Sequence, residues 1–208
     1  MKFSEIEVQD LFKAWIALSV AFAILIGGDI FSISFLYNFI LSAVTVGVGF
    51  ILHEMGHKFM AQRYGCFAEF RSFDMMLLLA IAMSFLGFIF AAPGAVMISG
   101  RVNLARSGRI SLAGPLMSLA LGVIFVVLLY VQVFDVKIVM SVFETSTDIF
   151  LLPWKFLVCY IGAKINMFIA LFNLLPVSVL DGKKILAWNK TIYGIMVAVT
   201  VLMMVMVF

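Results

Sequence analysis

The two histidines of this chain stand four residues apart, in the segment His53-Glu54-Met55-Gly56-His57. In an α-helix, residues i and i+4 lie on the same face, so His53 and His57 can bind one metal ion together. Glu54 is displaced around the helix from both and can reach a water molecule on that metal. This H-E-x-x-H pattern is typical of zinc hydrolases, in which the glutamate is the general base.

The apolar run before this motif makes the pattern more specific than its five positions alone. No charged residue occurs between Phe35 and Leu52. Ionisable groups placed at the end of such a run cost a few kcal/mol each on membrane-insertion scales, so they are functional candidates. The alternative is a chance occurrence, which we expect in roughly one chain of this length in a hundred or fewer.

The composition excludes a soluble domain. Of the 208 residues, 65% are hydrophobic and 12% are charged, whereas a soluble domain has about twice that charged fraction. The net charge of +3 is small and the basic residues stand beside apolar segments, which indicates membrane orientation and not nucleic-acid binding. We therefore predict a single integral-membrane domain over residues 1–208.

The apolar runs predict an all-α polytopic membrane protein with about five transmembrane helices. We place the spans at Leu11 to Ile26, Ser34 to Tyr64, Ser107 to Tyr130, Phe150 to Leu175 and Thr191 to Phe208. Residues 1–13 carry mixed charge and are expected to form a short surface lead-in. Pro115 would stand near the start of the third span, where proline costs a helix least.

The uncharged segment Met75 to Ile98 is long enough to cross the membrane, which gives a six-span alternative. If it does not cross, eleven of the 14 lysines and arginines lie on one side, and only Lys137, Lys155 and the intramembrane Lys164 do not. This positive-inside bias favours a re-entrant, membrane-embedded segment, expected as a β-hairpin that turns near Pro93-Gly94. It also places the N-terminus and the active-site side in the cytoplasm, in what we expect to be a prokaryotic cell membrane.

A catalytic zinc ion takes three protein ligands and keeps one position open, so the two histidines need a partner. Asp181 returns to their side and depth in the five-span topology, after a helix broken by Pro176. In the six-span alternative it would lie across roughly 30 Å of hydrocarbon. The competing carboxylates are Glu69, Asp74 and Asp135.

Several motifs together resemble the site-2 protease family of intramembrane zinc metalloproteases. They are His53-Glu54-Met55-Gly56-His57, then Gly114-Pro115, and then Phe172-Asn173-Leu174-Leu175-Pro176 running into Leu180-Asp181-Gly182. The resemblance covers about residues 35–187, the core of the predicted domain. The chain departs from the pattern at Ser118, where many members have Asn, and at Ser178, where a second Pro is frequent.

The resemblance implies one Zn²⁺ per chain, bound by His53, His57 and Asp181, with Glu54 as the catalytic residue. It implies that the region Met75 to Ser99 corresponds to the family's membrane-associated β-structure. Candidates for substrate binding or for lining the site are Asn173, Gly94, Ala95 and Val96. The stretch Ala95 to Ser99 is rich in small or β-branched residues and can offer a strand edge to an extended substrate.

The function expected from these features is intramembrane endoproteolysis, in which transmembrane segments of other proteins are cleaved within the lipid bilayer. A second hypothesis is a zinc hydrolase that acts on a small or lipid-like substrate. A third is a transporter or metal-binding protein without enzymatic activity, with Lys164, Asn166 and Asp181 as pathway groups.

Overall fold

The computed structural model describes residues 2–27, 30–89, 92–133, 154–177 and 179–207. The helices are α1 (Glu5–Ile26), α2 (Ile33–Ser42), α3 (Val48–Arg63), α4 (Asp74–Ser84), α5 (Leu104–Val133), α6 (Trp154–Asn173), α7 (Asp181–Trp188) and α8 (Lys190–Val207), and the strands are β1 (Phe67–Ser72) and β2 (Gly94–Ser99). Five helical segments in the described residues are long and apolar enough to cross a membrane, which agrees with the predicted number of spans.

The second span is one continuous helical rod. Ser32 caps its first turn by accepting a hydrogen bond from the Phe35 amide at 3.3 Å. A π-helical turn, Ala43–Gly47, joins α2 to α3, and the rod ends at Tyr64, before Gly65 with its φ of +74°. The predicted helix is therefore confirmed, although the π turn was not foreseen. At about 1.5 Å per residue, His57 lies roughly 9 Å inside the Arg63 end of the rod.

The N-terminal residues do not form the separate surface lead-in that we predicted. The helix α1 already begins at Glu5, and the carboxylates of Glu7 and Asp10 are buried. Glu7 forms an ion pair with the buried Lys58 of α3, and it also accepts a hydrogen bond from the Phe70 amide of β1 at 2.9 Å. These partners make burial of the Glu7 charge tolerable, because a buried ion needs both a counter-ion and hydrogen bonds.

The segment Met75 to Ile98 is not a crossing helix. Its helical part, α4, has 11 residues and spans about 16 Å, which is too short for a hydrocarbon core of about 30 Å. The strand β2 pairs antiparallel with β1, from Phe67 opposite Ser99 to Ser72 opposite Gly94. The small sheet agrees with the expected β-structure, whereas re-entry of this segment into the membrane stays a prediction.

The connection between the two strands differs from the predicted hairpin. Instead of a tight turn near Pro93-Gly94, the chain passes through α4 before it returns as β2. Pro93 lies directly before β2, and its carbonyl accepts a hydrogen bond from the Phe73 amide at 3.0 Å, which closes that end of the sheet. Proline is suited to this position because the preceding residue and its own φ favour extended backbone.

The two outer edges of the sheet differ in what lies beside them. The Phe70 amide donates to Glu7 of α1, whereas the opposing Val96 amide donates to Glu54 of α3. In an antiparallel ladder, amides of a non-hydrogen-bonded pair point away from the partner strand. The β1 edge therefore lies against α1, and the β2 edge faces Glu54 in the H-E-x-x-H motif of α3.

The helix α5 begins at Leu104, three residues earlier than predicted, so Pro115 lies about three turns inside the helix and not near its start. A hydrophobic cluster of buried side chains joins α5, α6, α7 and α8, and it includes Leu119, Val126, Met167, Ile185 and Met196. The short helix α7 was not predicted, because only a loop was expected around Asp181. This packing holds α7 against α5, and the first residue of α7, Asp181, reaches the histidines of α3.

Candidate metal centre

The motif residues of α3 lie on one face of the helix, as their spacing predicts. The Nε2 atoms of His53 and His57 are 3.1 Å apart, and both side chains are buried. The carboxylate Oδ2 of Asp181 lies 3.4 Å from Nε2 of His53 and 3.0 Å from Nε2 of His57. Residues 128 positions apart in the sequence thus converge on one point.

Asp181 reaches this point because α7 starts very close to the end of α6. Gly182 packs against the carbonyl groups of Leu174 and Leu175, and a Cβ at this position would overlap the Leu174 carbonyl. Burial by itself would raise the pKa of Asp181, but His57 and His53 outweigh it and lower the pKa below its usual value. The carboxylate is therefore held in its charged, metal-binding form.

The donor atoms fit a metal ion. The Nδ1 atom of His57 lies 2.8 Å from the Ile110 carbonyl oxygen, which can only accept, so a neutral His57 carries its proton on Nδ1. Its Nε2 lone pair then points at a carboxylate oxygen and at a second imidazole nitrogen. Tetrahedral ligands at zinc distances lie roughly 3.3 Å from one another, close to the separations of 3.0–3.4 Å seen here. A cation at this point satisfies all three donors.

The helix α5 forms one wall of the centre. Ser118 Oγ lies 2.9 Å from Nδ1 of His53, so each histidine has a partner on α5 through its second nitrogen. Gly114 packs directly against both imidazole rings, and a Cβ there would overlap His57. Small residues at helix interfaces permit this close approach of two backbones.

Glu54 lies beside the donors and contacts the sheet. Its side chain is buried, and Oε2 accepts a hydrogen bond from the Val96 amide at 3.2 Å. The neighbouring candidates Gly94 and Ala95 lie in β2 opposite Ser72 and Arg71. Val96 is thus the candidate in β2 that the structure joins to Glu54.

The remaining candidates have other partners. The Asn173 amide donates to the Ile169 carbonyl of its own helix at 2.9 Å. Glu69 pairs with Arg71 at 2.6 Å. Asp74 accepts hydrogen bonds from Ser72 and Lys13, which lower its pKa. Asp135 lies outside the described residues. Asp181 is therefore the carboxylate that the described structure joins to the histidines.

Sequence reasoning missed the two groups on α5 that bond the histidines. The Ile110 carbonyl is a backbone atom and leaves no signal in the sequence. Ser118 had a signal, since it stands one helical turn after Gly114 and thus on the same face, but we treated it only as a departure from a family pattern.

Comparisons with known proteins agree with this site. The model of peptidase family M50 matches residues 41–206. The protein named "Putative zinc metalloprotease MJ0611" of Methanocaldococcus jannaschii is 36% identical over 196 residues, which are 93% of this chain and 90% of that protein. "Zinc metalloprotease MJ0392" of the same organism is 29% identical over 148 residues, which are 71% of this chain and 32% of that protein. No solved structure gives a significant match.

Proposed function

Because the chain belongs to peptidase family M50, as its resemblance to the site-2 proteases predicted, we propose that it is a zinc endopeptidase that cleaves transmembrane segments of other membrane proteins. The observation that carries this proposal is the buried convergence of Asp181 with His53 and His57, with Glu54 beside them, where the histidines and Glu54 belong to a helix long enough to cross a membrane. A metal-dependent hydrolase needs this combination of donors and base.

The metal that suits the centre is one Zn²⁺ per chain, held by the two Nε2 atoms and the Asp181 carboxylate. Two imidazoles and one carboxylate form a common ligand set of catalytic zinc, and both relatives carry zinc in their names. When bound, zinc lowers the pKa of a water ligand to about 7 and polarises a carbonyl group.

Glu54 is the general base and acid in this proposal. Its carboxylate takes a proton from the attacking water and later delivers that proton to the leaving amine, so that one group serves both steps. The hydrogen bond from the Val96 amide holds one carboxylate oxygen and leaves the other for proton transfer. The buried surroundings keep bulk water away from this exchange.

The substrate is an extended segment that was helical in the lipid. A transmembrane helix has all its backbone groups paired internally, so its carbonyls become accessible only after local unwinding. The edge of β2 that faces Glu54 can supply replacement hydrogen bonds by strand addition. The open edge and the catalytic carboxylate lie side by side, which supports cleavage of a strand paired there.

The orientation we propose puts the N-terminus and the Asp181 loop in the cytoplasm of a prokaryotic cell. With five crossings, the basic residues of the N-terminal region, of the start of α5 and of α7 all fall on this side. The protein partners are then membrane proteins of the same bilayer, and nucleic acid has no role.

Two alternatives receive less support. A hydrolase of small or lipid-like substrates would use the same centre but has no need of the strand edge beside Glu54. A transporter would need Lys164 and Asn166 along a pathway, whereas Asn166 is buried and donates to the Gly162 carbonyl at 2.9 Å, and Lys164 lies over the Tyr160 ring.

The test compares Glu54→Gln with Glu5→Gln, which makes the same chemical change at an exposed glutamate. Membrane-protein fragments are identified by mass spectrometry in cells that express each form, and zinc is measured in the purified proteins. We expect Glu54→Gln to keep one zinc per chain and to lose the fragments, while Glu5→Gln keeps both. Persistence of the fragments with Glu54→Gln would refute the proposed mechanism.

A further inference from the structure

One face of α5 carries three groups that contact the histidines. The Ile110 carbonyl accepts from His57, Gly114 lies against both rings, and Ser118 Oγ lies 2.9 Å from Nδ1 of His53. These residues stand at positions i, i+4 and i+8, which share one helix face. Ser118 is wholly buried, so no solvent competes for its hydroxyl.

We propose that Ser118 is a positioning residue of the metal centre. Its Oγ accepts the Nδ1–H of His53 and thereby directs the Nε2 lone pair toward His57 and Asp181. The inference rests on the proposed function in one respect, namely that the centre binds zinc. It adds to that function a residue that does not touch the metal.

The hydrogen bond between Ser118 and His53 affects metal binding through the tautomer of His53, that is, through which ring nitrogen carries the proton. A neutral imidazole carries one proton, and His53 can bind a metal through Nε2 only when that proton is on Nδ1. If Nδ1 had no acceptor in this buried place, the proton would be more stable on Nε2, next to the Asp181 carboxylate 3.4 Å away. Ser118 Oγ, 2.9 Å from Nδ1, supplies that acceptor, so the tautomer that can bind a metal through Nε2 keeps a hydrogen bond at Nδ1.

A hydroxyl suits this position better than a carbonyl. The Ile110 carbonyl can only accept, so it fixes His57 in one tautomer, whereas a hydroxyl can accept from an Nδ1–H or donate to a bare Nδ1. Ser118 can therefore pair with His53 both before and after the proton leaves Nε2 for metal binding.

The test uses Ser118→Ala with Ser111→Ala as the matched control. Ser111 is also a buried serine of α5. It is a suitable control because each of the four ring nitrogens of His53 and His57 has a partner other than Ser111. Zinc affinity is measured in detergent by competition with a chelator. Loss of an outer partner of a metal-binding histidine weakens metal affinity by about 10–100-fold, which we expect for Ser118→Ala and not for Ser111→Ala.

Two further measurements separate positioning from packing. Ser118→Thr keeps the hydroxyl and should retain most of the affinity. The visible spectrum of the cobalt-substituted protein should change in Ser118→Ala, because the ligand geometry changes, and should stay unchanged in Ser111→Ala. Equal zinc affinity and equal cobalt spectra in wild type and Ser118→Ala would overturn the inference, and so would an equal loss in the alanine and threonine variants.

The outcome is distinguishable from failure of the proposed function. Suppose that cleavage depends on Glu54 but zinc binding does not depend on Ser118. The protease proposal would then stand, and only the positioning role of Ser118 would be refuted. A wild-type protein that binds no zinc would refute both.

Discussion

Replacing Gly114 by alanine should displace the metal centre. An ideal Cβ at this position would lie 2.6 Å from Nε2 of His53 and would overlap His57. Ordinary contact begins at 3.4 Å, so clearing His53 alone would need about 0.8 Å of separation between α3 and α5, and clearing the closer His57 would need more, unless the rings turn. Either change lengthens the hydrogen bonds at the two Nδ1 atoms.

The size of the effect follows from two opposing contributions. Alanine in place of glycine stabilises a helix interior by about 0.5–1 kcal/mol, so helix propensity alone predicts a more stable protein. Overpacking a well-packed interface costs about 1–3 kcal/mol, which outweighs this gain. Disturbance of both outer histidine partners should lower zinc affinity by roughly 100-fold or more, since each is worth about 10–100-fold.

The assay is zinc competition and thermal unfolding of the purified protein in detergent, with Gly194→Ala as the control. Gly194 lies in α8, and a Cβ there meets no atom of the described residues within 4 Å. We expect Gly194→Ala to bind zinc normally and to be as stable as wild type or slightly more stable. Normal zinc affinity in Gly114→Ala would refute the close packing of α5 on the histidines.

Three further predictions test the surroundings of the centre. Glu7→Gln leaves the Lys58 charge buried without its counter-ion, so unfolding in detergent should show a loss of about 3–5 kcal/mol, against little change in Glu5→Gln. The cysteine of Ser107→Cys should react with a membrane-impermeant reagent only from the cytoplasmic side. Labelling from outside would contradict the proposed orientation. Ile98→Pro removes the backbone donor that lies two residues after Val96 on the same edge of β2 and leaves the Val96–Glu54 hydrogen bond in place, so cleavage should fall while zinc stays bound; unchanged cleavage would exclude pairing at this position.

The catalytic motif could be read from the sequence because its geometry is local. His53 and His57 stand one helical turn apart on an uninterrupted helix, so their spacing alone places them on one face. Asp181 was predicted by a different route: the charge bias brought its loop to the same predicted side as the histidines, and the Leu180-Asp181-Gly182 motif of the resembled family gave it most of its lead over the other carboxylates. Neither route required knowledge of how the helices pack.

The contacts that hold the centre in place had no comparable signal. The Ile110 carbonyl belongs to the backbone, and Ser118 acts on a histidine 65 positions away. Which serine of α5 faces His53 depends on how α5 is rotated against α3. That rotation is fixed by Gly114 and by the packing of α5 on other helices, which local patterns do not describe.

The burial of acidic side chains near the start of α1 could not be predicted from the sequence either. By composition they read as a solvated lead-in, because carboxylates close to an apolar run are usually exposed. Burial of Glu7 becomes favourable only when Lys58 and the Phe70 amide, 51 and 63 positions further along the chain, are already in place. A charge pattern can therefore predict the side of the membrane on which a residue lies, but not whether that residue is solvated or buried in a structural ion pair.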